Sequence, residues 1–422
     1  MAAAVSSLLA YDQASAREAS GDIRIVKEGR QAAAQTPACQ LAFVRDRAGF
    51  DALEAEWKAL FERAGQSTQL FQRFNWLWHW CNHYLADPQA AGQGPRLAIV
   101  TARREGRLVM VWPLVSERAG GVKTLSWMGD PVNQYGDVLV DDADDAEAIL
   151  RAAWKFIVAR SGADVVLLRK VRADAAIAPL LSANGAIATE KLGAPYLDLA
   201  SAPSFAEYEK RYSSGSRRNR KRQRRRLEER GTVDIEACTQ GDRASELARF
   251  AIDLKRAWLS ERGLVSAAFA DNRIADFFAD VAGGAERPAD CHVLALLCGD
   301  VPVALEIGLT CKGRAAIHVI VYDRAYEKVA AGALLMEESI RRSCEAGLQT
   351  FDLLAPAAPY KTDWADGTVE VCDWVVPLSL AGHVYGRLYF GFLRNLVKKA
   401  MAASPDSLRR VVASGFGSLR RA

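Results

Sequence analysis

The sequence lacks several features that would have assigned it at once to a class of protein. It has no apolar run approaching the roughly 20 residues that a membrane-spanning helix needs. Its first residues have neither a basic start nor a sustained apolar core, so we expect no secretory signal. Its eight cysteines are scattered without a C-x-x-C pair, which predicts reduced thiols rather than disulfides or a zinc site. These absences predict a cytoplasmic protein.

Signature motifs of several enzyme classes are missing as well. The sequence contains no Walker loop, no dinucleotide-binding glycine fingerprint, no metal-ligand cluster and no Ser/His/Asp order. We therefore expect no metal cofactor. Any catalytic chemistry has to come from residues whose role is set by the fold around them.

The composition is that of a globular protein with an uneven charge distribution. Of the 422 residues, 50% are hydrophobic and 25% are charged, enough for two domains with sizeable cores. The net charge is +4, yet residues 217–230 and residues 383–422 each carry +7, which leaves −10 for the rest. This pattern predicts anionic partners at the two basic segments only.

Changes of pattern divide the chain into four parts. We expect a disordered lead at 1–37, a first domain at 38–200, a second domain at 201–382 and a basic amphipathic tail at 383–422.

The two predicted domains repeat an order of elements. Strand, turn and strand at 96–115 match those at 291–310, and the helix end and strand at 158–168 match those at 343–354. The similarity predicts an internal duplication.

The most informative stretch is residues 315–364. Residues 315–322 and 350–354 are β-branched and apolar, and apolar residues recur at helical spacing between them, which predicts a strand–helix–strand crossover. Helix-start amides lack partners within the helix and attract anions, so the start is a candidate phosphate site or, alternatively, ordinary packing of small residues. The start carries small residues after one basic residue: Lys328, Ala330, Ala331, Gly332 and Ala333.

This order of strand, loop, helix and strand resembles that of the Gcn5-related acetyltransferase (GNAT) superfamily, where it holds the pyrophosphate of acetyl-CoA. The closer resemblance is to the branch called CelD-like or BioF2-like acetyltransferases, which is related to the FemABX aminoacyl transferases. It covers about residues 40–380 and rests on the runs RRNRKRQRRRLEERG, VYDRAY, AAGALL, FDLL and YKTDW.

The resemblance implies an α/β (α+β) fold of two tandem GNAT-like domains, each a mixed sheet flanked by helices. It also implies acetyl-CoA or another acyl-CoA as cosubstrate, bound by Lys328, Ala330, Ala331, Gly332 and Ala333. In the first domain the matching helix follows acidic residues that would repel a phosphate, so we assign that domain to structure and acceptor binding. These residues are Asp141, Asp142, Asp144 and Asp145.

Acyl transfer from a thioester needs a polarised carbonyl, a base for the nucleophile and a proton for the departing thiolate. In the resembled fold the two strands that flank the helix splay beside the reacting carbon. His318 on the first strand is a candidate base, with a core histidine as the alternative. Asp352 interrupts an apolar strand and is either catalytic or paired. Tyr360 is a candidate acid, and Lys361 a candidate to bind an anionic acceptor or pair with Asp352, unless both lie in an ordinary surface loop.

The arginine-rich run predicts a helix that displays its charge to solvent. Its uncharged residues Ser216, Asn219, Gln223 and Leu227 form one stripe, which we expect to face the protein. The arginines are then free to bind the 3′-phosphate of CoA, a phosphorylated sugar or an acidic polymer. The candidates are Arg217, Arg218, Arg220 and Arg224.

We therefore predict an acyl-CoA-dependent N- or O-acetyltransferase for a small-molecule or saccharide acceptor, by resemblance in bacterial cellulose or another exopolysaccharide pathway. Two alternatives are left open: a FemABX-like transferase that uses aminoacyl-tRNA, and a non-catalytic scaffold of an envelope polysaccharide complex. The tail at 383–422 is predicted to dock on the protein, or else to touch an anionic inner-membrane face or an envelope complex. Nucleic acid is an expected partner only under the aminoacyl alternative.

Overall fold

The computed structural model describes residues 39–85, 94–119, 121–141, 145–264 and 266–386. The predicted lead and all of the predicted tail beyond residue 386 lie outside these ranges, as do Asp142 and Asp144. The described residues belong to one compact unit that begins at Cys39.

The helices form mostly where the apolar residues recur at helical spacing. The predicted helices at 146–160 and 332–344 are α4 and α11 in the structure. Short 3-10 turns also occur, among them Ser67–Gln72 and Arg324–Val329. The helices of the described residues are α1 (Arg47–Asp51), α2 (Glu54–Ala64), α3 (Phe74–Tyr84), α4 (Ala146–Arg160), α5 (Ala178–Ala183), α6 (Phe205–Tyr208), α7 (Ser214–Glu228), α8 (Gly241–Glu261), α9 (Ala267–Ala270), α10 (Arg273–Gly283), α11 (Ala331–Glu345), α12 (Pro359–Thr362) and α13 (Leu380–Val384).

The strands follow the β-branched and apolar runs. The hairpin predicted around residues 105 and 106 is present, since Arg104 pairs with Arg107 and both turn residues have positive φ. The strands of the described residues are β1 (Gln40–Val44), β2 (Arg96–Leu97), β3 (Ile99–Arg104), β4 (Arg107–Trp112), β5 (Leu114–Ala119), β6 (Val122–Trp127), β7 (Leu139–Val140), β8 (Val165–Arg172), β9 (Ile187–Asp198), β10 (Val233–Cys238), β11 (Cys291–Cys298), β12 (Val301–Cys311), β13 (Arg314–Tyr322), β14 (Thr350–Asp352) and β15 (Gly367–Pro377).

Most strands belong to one large mixed sheet. Its order is β10-β11-β12-β13-β14-β9-β15-β8-β6-β5-β2, and a smaller sheet has the order β1-β3-β4-β7. Within the large sheet, β6 runs parallel to β8 and β13 runs parallel to β14, while the other pairs are antiparallel. Helix α4 precedes β8 and α11 precedes β14, each ending at a left-handed glycine, Gly162 or Gly347. This matching order is the one that the predicted duplication implies.

Strands β9 and β15 join the two halves by a reciprocal exchange. Strand β9 follows β8 in the chain but pairs with β14, whereas β15 follows β14 but pairs with β8. The two exchanged strands also pair with each other, at the centre of the sheet. The predicted boundary near residue 200 thus lies between β9 and α6, yet both sides of it contribute strands to the same sheet.

An aromatic cluster packs the helices onto this sheet. Trp76, Trp80 and Tyr84 on α3 are each at most 2% exposed, as expected for a core stripe. Trp76 meets Phe277 of α10 edge to face, with ring centroids 5.0 Å apart. Contacts such as this one connect helices from the two halves of the chain.

Candidate functional site

Helix α11 begins with backbone amides that no side chain caps. Its N-cap residue, Ala330, has a left-handed conformation with φ of 52°, and no acidic residue lies in the first turn. The N–H groups of Ala333 and Leu334 donate to the carbonyl of Ala330. The N–H groups of Ala331 and Gly332 have no acceptor in the described part of the chain. Ala331 is fully buried, whereas Gly332 is half-exposed, so the Gly332 N–H at the positive end of the helix dipole is the donor that an anion can reach.

A cavity of about 310 Å³ lies beside this helix start. Tyr322 of β13, Gly332 and Met336 of α11, and Tyr360 and Trp364 from the segment after β14 contribute to its wall. The wall is mainly apolar and aromatic, while the helix start contributes polar amides. Such a cavity suits an extended, largely apolar group that ends in an anion.

Gly332 is required at this position for a steric reason. A Cβ atom there would lie 2.8 Å from Cδ1 of Tyr322, closer than packed carbon atoms approach. The glycine therefore lets the Tyr322 ring lie against the first turn of α11. A larger residue has to displace the ring that forms part of the cavity wall.

Strand β13 separates from β14 next to the cavity. The two strands pair only over residues 314–316, whereas β13 stays paired with β12 as far as Tyr322. A register shift opposite Gly308 leaves His318 as a bulged residue on β13. The gap between the separating strands can admit an extended ligand alongside β13.

His318 itself lies among aromatic rings. Its imidazole packs against Phe278, Phe71 and Trp76, with ring centroids 4.8, 5.9 and 6.0 Å away. Its Nε2 lies 2.6 Å from the carbonyl oxygen of Val132, so Nε2–H donates and Nδ1 carries the lone pair. Nδ1 is buried and has no partner among the described residues.

Burial also lowers the pKa of His318 to about 4, so the ring is neutral at pH 7. A neutral imidazole with a low pKa and a buried free nitrogen is poorly placed to take a proton from an acceptor. These contacts favour the alternative to a catalytic base, a half-buried histidine packed among aromatic rings, and we assign His318 no proton transfer.

Asp352 is also buried and fully engaged. One oxygen, Oδ1, accepts hydrogen bonds from the Tyr135 hydroxyl at 2.8 Å and the Leu354 N–H at 2.9 Å. The other, Oδ2, lies 3.0 Å from Nη1 of Arg314 and 3.5 Å from Nη1 of Arg172. With 0% exposure, this carboxylate cannot reach a substrate. We correct its predicted catalytic role, since the structure gives Asp352 the role of an ionic tie between β14, β13 and β8.

Tyr360 is a predicted catalytic residue that lines the cavity. Its side chain is 48% exposed, and Gly332 lines the same cavity. Partial burial raises the pKa of Tyr360, so its hydroxyl stays protonated at neutral pH. A protonated phenol in this position can donate a proton to a leaving group.

Lys361 follows Tyr360 in the sequence, and its hydrogen bonds hold the loop after β14 in place. Its Nζ donates to the carbonyls of Leu354 and Pro356, at 2.8 and 3.1 Å. In the part of the chain that the structure describes, it forms no ion pair with Asp352, contrary to one of the two predicted roles. Burial lowers the pKa of Lys361 to about 8.

Helix α7 packs beside α11, but not on the whole of the predicted stripe. Gln223 and Leu227 face the protein as predicted, whereas Ser216 and Asn219 are exposed. Arg220 takes the inward position instead and is only 8% exposed. The prediction that Arg220 is displayed to solvent is therefore wrong.

The environment of Arg220 explains how a guanidinium can be buried here. It pairs with Glu337 of α11, and its Cζ lies 4.9 Å from the Trp364 ring and 5.1 Å from the Tyr212 ring. Its Nη2 is buried and unpartnered among the described residues. Because Trp364 lines the cavity, Arg220 places a cation behind the cavity wall.

The other predicted cations differ in exposure. Arg218 is exposed, Arg217 is half-buried, and the exposed Arg224 lies 3.3 Å from Glu228 one turn further on. Lys328 is exposed just before α11 and has no ion pair among the described residues. None of these four cations lines the cavity.

The start of α4 has the opposite electrostatic character. Asp145 is its N-cap residue and pairs with Arg104, while Asp141 pairs with Arg63 at 2.9 Å. These carboxylates neutralise the positive end of α4 from within the protein. The contrast with α11 agrees with the predicted difference between the two halves.

Two lysines approach the site without having been predicted. Lys255 of α8 lines the cavity, and Lys170 at the end of β8 contacts the loop that holds Val132. Lys170 follows a buried strand in the run VVLLRK, which is a weak sequence signal; Lys255 has none. Lys255 comes near the site because α8 packs against β13, and Lys170 because its ammonium contacts residues 133 and 134, next to Val132.

Over the described residues, no group of three or more His, Cys, Asp or Glu side chains is arranged to hold a metal ion. None of the described helices has both the length and the apolarity that a bilayer crossing requires.

Comparison with known families supports the enzyme class. Residues 214–362 match the model described as acetyltransferase (GNAT) domain. This region runs from α7 to α12 and contains the free amides of α11, the bulge on β13 and Tyr360. The chain thus carries an acyltransferase domain, as predicted. A comparison with curated proteins found no match.

Solved structures show what the whole chain resembles. FemX is similar with a TM-score of 0.54 and 11% identity, over 82% of this chain and 99% of FemX. L-PGS from Bacillus licheniformis has a TM-score of 0.47 and 11% identity, over 82% and 96% of the two chains. A tandem GNAT protein from the clavulanic acid biosynthesis pathway has a TM-score of 0.44 and 14% identity, over 81% and 99%. The predicted mixed α/β fold, with sheets flanked by helices, is confirmed.

Proposed function

We propose that this protein transfers an acyl group from an acyl-CoA, with the cosubstrate's pyrophosphate at the start of α11 and its pantetheine arm beside β13. The observation that carries the proposal is the free, accessible amide of Gly332 at the start of α11, next to a mainly apolar cavity. A diphosphate accepts hydrogen bonds from such amides, and the apolar arm fits the cavity. Arg220, with its unpartnered Nη2, adds a positive charge behind the same wall.

The reaction needs one proton to be delivered at a defined place. The acceptor's amine or hydroxyl attacks the thioester carbonyl, the C–S bond breaks, and the departing thiolate takes a proton. Tyr360 faces the cavity with its hydroxyl protonated and is our proposed donor of that proton. With Asp352 and His318 engaged elsewhere, we assign neither of them a proton transfer.

The acceptor and setting are proposed from family resemblance. The CelD-like or BioF2-like features quoted above point to a sugar hydroxyl or amine in cellulose or another exopolysaccharide pathway. We propose a cytoplasmic enzyme that approaches the inner membrane or an envelope complex through its basic tail. Sedimentation with anionic liposomes, with and without residues 387–422, tests that last point, and equal sedimentation of the two chains would refute it.

Calorimetric titration with acetyl-CoA tests the donor site. We expect binding by the wild-type chain and a loss of at least about tenfold in affinity for Gly332→Ala, whose Cβ would collide with Tyr322. Gly215→Ala is the matched control, because Gly215 holds the same place in the first turn of α7 and a Cβ there meets nothing closer than 3.8 Å. An absence of heat with acetyl-CoA at millimolar concentration would refute the proposal.

A second candidate is the aminoacyl-tRNA-dependent transfer considered from the sequence. The observation that favours it is the exposed cationic face of α7, which includes Arg218, Lys221, Arg222, Arg225 and Arg226. Such a face suits a phosphate backbone. Filter retention of tRNA that weakens steeply with salt and with charge-neutral substitutions on this face would support it, and retention unaffected by those substitutions would exclude it.

A further inference from the structure

Three lysines from three separate elements lie near the part of β13 that contains His318 and Ile320. Lys170 lies on β8, Lys255 on α8 and Lys361 on α12, and we call them the lysine cluster. Lys255 lines the cavity itself, and Lys361 follows Tyr360, which also lines it. All three are half-buried. Burial lowers the pKa of Lys361, the charge of Asp352 opposes this effect, and the charges of Lys255 and Lys170 add to it.

Each ammonium is held by carbonyl oxygens but keeps a donor to spare. Lys170 donates to the Asn133 carbonyl at 3.0 Å and to Oε1 of Gln134 at 2.9 Å. Lys361 donates to two carbonyls, and Lys255 to the Ile320 carbonyl at 3.3 Å. An ammonium has three N–H donors, so at least one on each lysine is left for another partner.

The lysine cluster has no carboxylate of its own. Over the described residues, none of the three lysines forms an ion pair. The nearest acidic groups are matched to arginines: Asp352 to Arg172 and Arg314, and Asp130 with Asp373 to Arg169. Partly desolvated positive charges that lack a counter-charge are unfavourable, and an anion bound among them offsets that cost.

The cluster is distinct from the proposed pyrophosphate site. The pyrophosphate is assigned to the amide of Gly332, at the N-terminal end of α11. The lysines instead lie around the part of β13 that contains Ile320 and His318, where it has separated from β14. In the proposed arrangement, the thioester end of the cosubstrate lies toward this side.

We propose that the lysine cluster binds an oxyanion carried by the acceptor, a phosphate or a carboxylate, and so selects acidic acceptors over neutral ones. The role in selecting acceptors rests on the proposed acyl transfer, whereas anion binding by the lysine cluster does not depend on it. Charge-assisted hydrogen bonds from three elements fix the position of the oxyanion as well as bind it. The acceptor's nucleophile is thereby held near the thioester.

Titration of the full-length chain with inorganic phosphate tests the site without an acyl donor. We expect Lys170→Gln and Lys255→Gln each to weaken phosphate binding by at least about tenfold, because each removes a charged donor. Lys155→Gln is the control, since Lys155 is exposed on α4 and makes no ion pair among the described residues. Thermal unfolding of each variant confirms that it is folded, and phosphate affinity unchanged in both cluster variants overturns the inference.

Turnover with paired acceptors then distinguishes the sources of the oxyanion. Release of free CoA is followed with acetyl-CoA and glucosamine, glucosamine 6-phosphate, glucose or glucuronate. We expect a lower KM for the acidic member of at least one pair, and a rise in that KM in the cluster variants without a change in the KM for acetyl-CoA. Equal KM values within both pairs overturn the inference.

The two proposals fail in different ways. If acetyl-CoA binds but phosphate affinity is unchanged in the lysine variants, only the inference about the lysine cluster is refuted. If phosphate binding depends on the lysines but acetyl-CoA does not bind, only the acyl transfer is refuted.

Discussion

At the scale of single residues, the surroundings of a side chain decide its role more than its chemical type does. Asp352 and Tyr360 lie in the same strand–loop segment, and both were predicted as candidate catalytic residues. In the structure the carboxylate is 0% exposed and held by two arginines, whereas the phenol is 48% exposed and faces a cavity. We therefore expect a substitution of Asp352 to lower mainly the stability of the fold, and a substitution of Tyr360 to lower mainly the turnover rate.

Tyr360→Phe should lower kcat by about 100-fold and leave the KM for acetyl-CoA within about twofold. The substitution removes the proposed proton donor but keeps the ring that lines the cavity. Steady-state release of free CoA measures both constants. Tyr326→Phe is the control, because Tyr326 packs outside the cavity against Arg230. An unchanged kcat in Tyr360→Phe would remove Tyr360 from the mechanism.

Asp352→Asn should destabilise the fold by about 3 to 5 kcal/mol, because it leaves two arginines without a buried counter-charge. Urea unfolding followed by tryptophan fluorescence measures the change. Asp174→Asn is the control: Asp174 also pairs with Arg172 but is more than half exposed, so we expect less than about 1 kcal/mol. Full stability combined with lost turnover in Asp352→Asn would restore the catalytic interpretation.

At the scale of elements, single polar contacts decide how helices are docked. Helix α7 has only one large apolar residue, Leu227, and its position depends on that residue and on the Arg220–Glu337 pair with α11. Helices α3 and α10 are tied in a similar way, since Asp280 Oδ2 lies 2.9 Å from His79 Nδ1 and 3.1 Å from His83 Nε2.

Arg220→Met should loosen α7 without unfolding the protein. It removes the ion pair with Glu337 and leaves that carboxylate facing α7 alone. We expect faster amide hydrogen exchange over residues 214–228 and little change in the sheet. Arg218→Met, on the exposed face of the same helix, should exchange like the wild type. Identical exchange in the two variants would show that Arg220 does not anchor α7.

Asp280→Asn should cost stability at neutral pH but not in acid. Hydrogen bonds from His79 and His83 hold the pKa of Asp280 well below its usual value near 3.8, against the opposing effect of burial. A depressed folded-state pKa contributes stability that is present above the unfolded pKa and lost as the pH falls through the folded one.

Urea unfolding at pH 7, 5 and 3 tests this prediction. The difference between wild type and Asp280→Asn should be similar at pH 7 and 5 and begin to shrink at pH 3. Asp276→Asn is the control on the same helix, because Asp276 is more than half exposed. A difference that grows in acid would contradict the assigned sign.

At the scale of the whole molecule, the exchanged strands make the two halves interdependent. Strand β9 completes the sheet next to β14 and β15 completes it next to β8, so neither half has a closed hydrogen-bonding pattern alone. The aromatic contact between Trp76 and Phe277 crosses between the halves as well. The predicted domain boundary near residue 200 therefore does not imply that the two halves unfold separately.

We expect one cooperative unfolding transition. Tryptophan fluorescence and far-ultraviolet circular dichroism should give coincident urea curves, because breaking the β9–β15 pairing exposes both halves together. Val371→Asp, which buries a charge at a fully buried position in β15, should shift both curves to the same lower urea concentration. Two separate transitions would show that the halves fold independently.

Local structure was largely predictable because it depends on neighbours in the chain. Apolar periodicity predicted the helix at 146–160 and the crossover that starts at residue 315, and the small residues at 330–333 predicted an uncapped helix start. The stripe on α7 was predicted wrongly because Arg220 is buried by Trp364 and Glu337, which lie more than a hundred residues away in the sequence.

The sequence alone determined the elements, the uneven charge and the place of an anion-binding helix start, because each depends on residues within a few turns of one another. Only the tertiary structure decided which polar groups are free to act. Burial and partners come from distant segments: Arg172 and Arg314 neutralise Asp352, Val132 fixes the His318 ring, and packing of α8 and β8 gathers the lysine cluster. Whether a side chain can take part in chemistry therefore depends on the residues that the fold places around it.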